Sequence, residues 1–263
     1  MGASPPNRRR PVTFRVVATI TVLLFVLALP NVLAAWWPVS MDPAIRHPDA
    51  ARWHTVVEGT GDAAGVVLLL ALIRRPAANP LVPLSFALSA VVACLMVLPF
   101  TGPSLLFAVL PVVAVLAAYP YWDGVRILLR SGIRWSRPLL ALALGAAALL
   151  ALPIVDAVSA QLGGVGEMAA TNQWATYAEH LTSLVLGAVL AATRLPGWRL
   201  VAAVQGLAWS YLGIAAVVLP GHPDSWGAAG GAVAVAAGVT SLGVALRDRP
   251  VRIGAARTAA AAA

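Results

Sequence analysis

The chain alternates between long apolar stretches and short polar connections along most of its length. Six stretches are uniformly apolar and of the length that a membrane-spanning helix needs, about 20 residues. They lie near 15–36, 81–99, 104–120, 138–157, 199–219 and 226–246. Two more, near 55–73 and 175–194, are interrupted by acidic and histidine side chains. The pattern predicts an all-α membrane protein with eight transmembrane helices.

The composition agrees with this pattern. Of the 263 residues, 60% are hydrophobic and 11% are charged, whereas soluble domains carry about 25% charged residues. All 18 basic residues are arginine, which excludes chemistry that needs a Schiff-base lysine. Cys94 is the only cysteine, so neither an intrachain disulfide nor a thiolate metal cluster can form. The Ala-, Arg- and Gly-rich composition indicates a high-GC bacterial genome and a multi-pass protein of the bacterial plasma membrane.

Arginines mark every second connection between the predicted helices. They cluster at 8–15, 74–75, 126–137, 194–199 and 247–257. The positive-inside rule places these segments, and therefore both termini, in the cytoplasm. The formal charge of +8 is then a topology signal, and no nucleic-acid partner is predicted.

The predicted organisation is a cytoplasmic tail at 1–13, a single eight-helix domain at 14–246 and a second cytoplasmic tail at 247–263. An alternative for the N-terminus is a cleaved signal peptide, because arginines, an apolar stretch and Ala34-Ala35 follow one another.

The two halves of the domain, about 14–130 and 135–246, match at a fixed offset of 121 residues. Seven identities fall on corresponding helix positions: Trp53 and Trp174, Thr55 and Thr176, Glu58 and Glu179, Ser89 and Ser210, Pro99 and Pro220, Ser104 and Ser225, Arg126 and Arg247. Each half contains four predicted helices, an even number. The sequence therefore predicts two parallel repeats related by an axis along the membrane normal.

The second predicted helix carries the clearest polar signal. A full crossing that ends at Arg74 has to include His54, Glu58 and Asp62, which are spaced four residues apart and share one helical face. A charged residue at the centre of a span costs about 2.5–3.5 kcal/mol on insertion scales, so such residues usually face a protein interior. The sixth helix repeats the pattern with Glu179, His180 and Ser183.

Structural roles are the alternative for several of these residues. Thr55 with Glu58, and Thr176 with Glu179, have the spacing of a capping box at a helix start. His54 is also compatible with a surface position in an outer loop. Eight of the tryptophans lie near predicted span ends and match an interfacial aromatic belt: Trp36, Trp37, Trp53, Trp122, Trp135, Trp174, Trp198 and Trp226.

The candidate catalytic residues are Asp62, Glu58, Glu179 and His180. The candidate substrate-binding residues are Trp209, Tyr211, Gln205, Ser183 and His54. They would form a pocket between the second, sixth and seventh helices, open to the outer half of the bilayer. The four catalytic candidates have oxygen and imidazole donors that suit a divalent cation, but no compact metal-binding motif is present. Neither a metal nor a cofactor is predicted.

In helix count and in the placement of its acids, the chain resembles the small integral-membrane terpene cyclases, which lack metal motifs and rely on intramembrane carboxylates. The resemblance implies a lipid or isoprenoid substrate. Asp62 or Glu58 would protonate an alkene or epoxide, with Glu179 or His180 as the base. Trp209 and Tyr211 would stabilise a cation with their aromatic faces. The bilayer and a hydrophobic small molecule are the expected partners, and the oligomeric state stays open.

Two further functions fit the sequence. Parallel repeats, intramembrane acids and prolines within spans are common in transporters, which predicts a small proton-coupled transporter. The last alternative is a non-catalytic accessory membrane subunit with a polar seam between its helices.

Overall fold

The structure is a computed structural model that describes residues 9–38, 46–47, 49, 51–101, 105–130 and 132–247. All regular structure in these ranges is helical. The α-helices are α1 (Arg9–Val26), α2 (Arg52–Arg74), α3 (Leu81–Met96), α4 (Leu98–Thr101), α5 (Leu105–Ala118), α6 (Trp122–Arg130), α7 (Arg137–Gly163), α8 (Glu167–Ala170), α9 (Gln173–Ala192), α10 (Trp198–Val218) and α11 (Gly227–Arg247). Two 3-10 helices, Leu29–Ala35 and Pro76–Ala78, follow α1 and α2.

Six of the described helices are long and apolar enough to cross a membrane. Their ranges are Pro11–Ala35, Arg52–Arg74, Arg137–Gly163, Gln173–Ala192, Trp198–Val218 and Gly227–Arg247. A seventh crossing is possible where α5 and α6 form a pair bent by 88°, and α3 is a shorter apolar helix. The fold is therefore all-helical and compatible with a multi-pass membrane protein. The number eight stays a prediction.

The first helix begins at Arg9, a few residues before the predicted start of the domain at residue 14. Of the predicted tails at 1–13 and 247–263, residues 1–8 and 248–263 lie outside the described residues.

The helices pack in a similar order in the two predicted halves. In the first half α1 contacts α2 and α5, and α3 contacts α2 and α5. The second half has the same four contacts, with α7, α9, α10 and α11 in the places of α1, α2, α3 and α5. Between the halves, α3 contacts α9, α2 contacts α10, and α2 contacts α9.

Glycines allow α10 and α11 to approach each other closely. An ideal Cβ on Gly213 would lie 2.5 Å from the carbonyl oxygen of Gly231, and one on Gly206 would lie 2.8 Å from that of Gly238. Membrane helices pack through such small residues because lipid provides no hydrophobic force between them. The resulting contact runs over at least two turns and fixes this helix pair.

Two clusters of buried side chains fill the interior. One contains Phe14, Leu72 and Leu139 near the helix ends that carry arginines, and the other contains Trp53, Leu150 and Leu212 at the opposite ends. Most candidate residues of α2 and α9 are sequence neighbours of members of the second cluster.

Candidate functional site

Glu179 and His180 form an ion pair inside the helical bundle. His180 Nδ1 lies 2.8 Å from Glu179 Oε2 and 2.8 Å from the backbone carbonyl of Thr176. Both partners are acceptors, so Nδ1 must carry the proton that it donates to them. The two side chains are only 16% and 12% exposed. Ser183 donates a hydrogen bond of 3.0 Å to the other oxygen of Glu179.

Helix α2 brings two further carboxylates to this pair. The imidazole of His180 lies directly against the backbone of Gly61, where an ideal Cβ would come within 2.2 Å of its Cδ2. The next residue, Asp62, interacts electrostatically with both Glu179 and His180, and Glu58 interacts with His180. The structure therefore brings together the four residues predicted to be catalytic, and Ser183 with them. We refer to Glu58, Asp62, Glu179 and His180 as the acid–imidazole cluster.

The capping-box interpretation of Glu58 and Glu179 is wrong. Helix α2 begins at Arg52 after Ala51, α9 begins at Gln173 after Asn172, and neither helix has a side-chain cap or an acid in its first turn. Both helices start four residues earlier than a cap at Thr55 or Thr176 requires. The two glutamates therefore lie about 9 Å inside their helices, where they have no cap to form.

A second group of side chains surrounds His54. This histidine is only 4% exposed, so its alternative assignment to the protein surface is wrong. Its ring stacks on Tyr177 at 4.4 Å and meets Trp174 edge-on at 4.6 Å. Its Nε2 lies 3.3 Å from Oδ2 of Asp224. His54 is thus held between aromatic rings behind an acid of the loop that connects α10 and α11.

Trp53 is fully buried, so its assignment to the interfacial belt is wrong. Its indole N–H donates a hydrogen bond of 3.0 Å to the hydroxyl of Tyr177, which donates in turn to the backbone carbonyl of Asp224 at 3.4 Å. Its ring meets Trp226 edge-on at 5.2 Å. Trp36, Trp37 and Trp135 are about half exposed, as residues of a belt are expected to be.

Two cavities lie beside these groups. The upper cavity, of about 340 Å³, is lined by Leu149, Pro153, Asp156, Ala157, Trp174, Tyr177, Asp224, Ser225, Trp226 and Gly230. The lower cavity, of about 280 Å³, lies between α7, α9, α10 and α11, and Gln205, Trp209 and Ser241 are its polar and aromatic lining residues. Both differ in place from the predicted pocket between the second, sixth and seventh helices, and no member of the acid–imidazole cluster lines either one.

The predicted substrate-binding residues are therefore divided between several places. Gln205 and Trp209 line the lower cavity, and the amide of Gln205 lies against Gly187. Tyr211 donates a hydrogen bond to the carbonyl of Val32 and packs against Trp36, so it holds the 3-10 helix Leu29–Ala35. Ser183 belongs to the acid–imidazole cluster, and His54 lies behind the upper cavity.

Sequence reasoning missed the residues that form the upper cavity. Asp156 and Asp224 are acids on the side of the predicted spans opposite most of the arginines, and Trp174 and Trp226 lie at the ends of predicted spans. Their contact depends on how α7, α9 and α11 pack. The sequence offered one signal for this cavity, namely that Trp174 repeats Trp53 at the offset of 121 residues.

No group of three or more histidine, cysteine or acidic side chains among the described residues is arranged to hold a metal ion. No family model matches the chain, and it has no significant match among curated proteins or solved structures.

Proposed function

We propose that this chain is a multi-pass protein of the bacterial plasma membrane with eight spans and both termini in the cytoplasm. The six long helices, the bent pair α5–α6 and the short apolar helix α3 supply eight apolar segments. Arginines concentrate at the same ends of these segments, and only Arg46 and Arg52 lie at the opposite ends, which supports the orientation.

We also propose that the two halves are parallel repeats. In addition to the matched residues, the four contacts within one half recur in the other. The contacts between halves come in an exchanged pair, because α3 contacts α9 while α2 contacts α10. A twofold relation between the halves requires this exchange, and it places the observed contact between the equivalent helices α2 and α9 at the axis.

The function that the geometry supports best is a small proton-coupled transporter. The observation that carries this proposal is the packing of the Glu179–His180 ion pair against Gly61, beside Asp62, where the two halves meet. Ionisable side chains inside spans are costly and commonly serve as proton relays. In transporters built from repeats, coupling sites lie near the interface between the repeats. Protonation of any one of these side chains changes the electrostatic interaction between α2 and α9 and hence the free energy of their contact.

An acid/base enzyme for a lipid or isoprenoid substrate, such as a terpene cyclase, is the second candidate. The observation in its favour is the lower cavity, an apolar space with Trp209 and Gln205 on its wall. A catalytic acid has to reach the reacting atom within hydrogen-bond distance. Because the acid–imidazole cluster lines neither described cavity, the transporter is the better-supported function.

Proton exchange in everted membrane vesicles tests the transporter. Respiration acidifies the vesicle lumen, acridine orange reports the gradient, and a cationic, an anionic and an uncharged probe (octyltrimethylammonium, octanoate and glucose) are added in turn. We expect one probe to collapse the gradient with the wild type and not with Asp62→Asn or His180→Gln. Asp123→Asn, which changes an exposed carboxylate on α6, is the matched control and should behave as the wild type.

The alternatives give different results in the same cells. A stable Asp62→Asn protein that exchanges protons as fast as the wild type would overturn the role of Asp62 in coupling. A lipid-extractable compound present with the wild type and absent with Asp62→Asn would favour the enzyme. If neither activity exists and the variants only lose stability, the chain is an accessory subunit.

A further inference from the structure

The upper and lower cavities are neighbours with a shared wall. Leu149 lines both. Trp226 lines the upper cavity and Trp209 the lower one, and their rings stack at 5.5 Å. The two spaces are therefore bounded by a continuous aromatic and aliphatic surface along α7, α10 and α11.

The upper cavity has the chemistry of a cation site. Its lining includes the carboxylates of Asp156 and Asp224 and the rings of Trp174, Tyr177 and Trp226, and none of its described lining residues is basic. Aromatic faces attract cations, most strongly quaternary ammonium groups. His54, which does not line this cavity, lies beside the Asp224 carboxylate, with 3.3 Å between Nε2 and Oδ2. A volume of about 340 Å³ lies within the range of small-molecule sites, about 300–1,000 Å³.

The lower cavity suits the apolar part of the same molecule. Apart from Gln205 and Ser241, its wall consists of aliphatic residues, glycine and Trp209. Asp156 lies 19 residues after Arg137, about 28 Å along α7, so the upper cavity is near the outer boundary of a bilayer core about 30 Å thick. The lower cavity extends from Leu149 past the bilayer centre to Leu139, near the opposite boundary. An amphiphilic molecule in a bilayer has the same arrangement, with its head group at the boundary and its apolar chain below it.

We infer that the two cavities bind an amphiphilic organic cation, with its ammonium head group between Asp156, Asp224 and Trp226 and its apolar chain in the lower cavity. The inference names a ligand class for the proposed transporter. It nevertheless rests on these cavities alone, and its test is a binding equilibrium. Binding without proton exchange would overturn the transporter and leave the site intact, and proton exchange without this binding would do the reverse.

The test measures binding of radiolabelled octyltrimethylammonium to the protein in lipid nanodiscs, with empty nanodiscs subtracted. Octanol serves as the uncharged probe and tetramethylammonium as the head group alone. The double variant Asp156→Asn/Asp224→Asn should weaken octyltrimethylammonium binding at least tenfold. Asn suits position 224 because its φ is 64°, a conformation that Asn tolerates. Trp226→Leu should weaken binding about tenfold, and Asp123→Asn should leave it unchanged.

The lower cavity is tested by filling it. An ideal Cβ on Gly145, which lines this cavity, meets nothing within 4 Å, so a longer side chain can start there without displacing a neighbour. Gly145 lies roughly 16 Å below Asp156 along α7, so the probe here is dodecyltrimethylammonium, whose chain is long enough to reach it. Gly145→Leu should weaken dodecyltrimethylammonium binding several-fold and leave tetramethylammonium binding unchanged. Gly243→Leu is the matched control, because Gly243 also has open space and lines neither cavity.

Three results would overturn the inference. The first is a double Asn variant that binds octyltrimethylammonium within twofold of the wild type. The second is an octanol affinity that falls equally in that variant. The third is an equal effect of Gly145→Leu on dodecyltrimethylammonium and tetramethylammonium, which would show that the chain does not lie in the lower cavity.

Discussion

Replacing Gly61 by alanine tests the geometry of the acid–imidazole cluster with one methyl group. An ideal Cβ at this position would lie 2.2 Å from Cδ2 and 2.9 Å from Nε2 of His180. The ring is held on its other side by contacts of 2.8 Å to Glu179 and to the Thr176 carbonyl. The methyl group therefore has to push the imidazole against these contacts, and the geometry of the pair with Glu179 is lost.

The magnitude follows from three contributions. Overpacking a filled interior costs about 1–3 kcal/mol, and losing a hydrogen bond to a charged group costs about 1.5–3 kcal/mol. Alanine gains about 1 kcal/mol over glycine as a helix former. The net expected loss of stability for Gly61→Ala is about 1.5–5 kcal/mol.

Reversible unfolding in mixed micelles, followed by circular dichroism as a denaturing detergent is added, measures this loss. Gly145→Ala is the matched control, since the added Cβ meets nothing within 4 Å and the variant should be as stable as the wild type or slightly more stable. In a His180→Ala background, Gly61→Ala should cost nothing, because the ring is gone. A double-mutant cycle isolates this coupling. Equal losses for Gly61→Ala with and without His180 would refute the contact.

Three further predictions concern the fold. Gly238→Val should destabilise the α10–α11 pair by about 1–3 kcal/mol through overpacking, whereas Gly243→Val on the same helix should not, as thermal unfolding in detergent will measure. Tyr177→Phe should cost about 1–3 kcal/mol, because a buried indole N–H loses its acceptor, and the same assay checks it. With Cys94 replaced by alanine, Gly221→Cys should react with a membrane-impermeant maleimide on intact cells and Gly132→Cys only after permeabilisation; the reverse result would invert the proposed orientation.

The long helices were predictable because hydrophobic length is a local property of the sequence. The predicted stretches near 55–73 and 175–194 correspond to α2 and α9, although each helix begins two or three residues earlier. Their starts were misjudged because a Thr and a Glu three residues apart match a cap equally well inside a helix. Nor could periodicity show the bend between α5 and α6.

The acid–imidazole cluster was predictable in membership but not in geometry. Charged side chains inside a membrane span have to face the protein interior and not the lipid. This requirement identified Asp62 and His180 from the sequence. Which residue they meet depends on the crossing of α2 and α9, and therefore on Gly61, whose role becomes visible only in the packing. His54 and Trp53 were placed near water because they lie at the start of a helix, yet tertiary contacts bury them. Position along a span predicts depth in the membrane and says little about which side chains are covered by neighbouring helices.

Helix α9 connects the two features that the proposals concern. Tyr177 lines the upper cavity, and Glu179 and His180 form the ion pair less than one turn further along. A helix of this length moves as a rigid element, so a shift of α9 against Gly61 also changes the wall of the cavity. A ligand that favours one position of α9 then has to change the proton affinity of the cluster, and protonation has to change the ligand affinity by the same factor. If α9 moves, the upper cavity and the acid–imidazole cluster are therefore thermodynamically coupled. If α9 does not move, they are two independent sites.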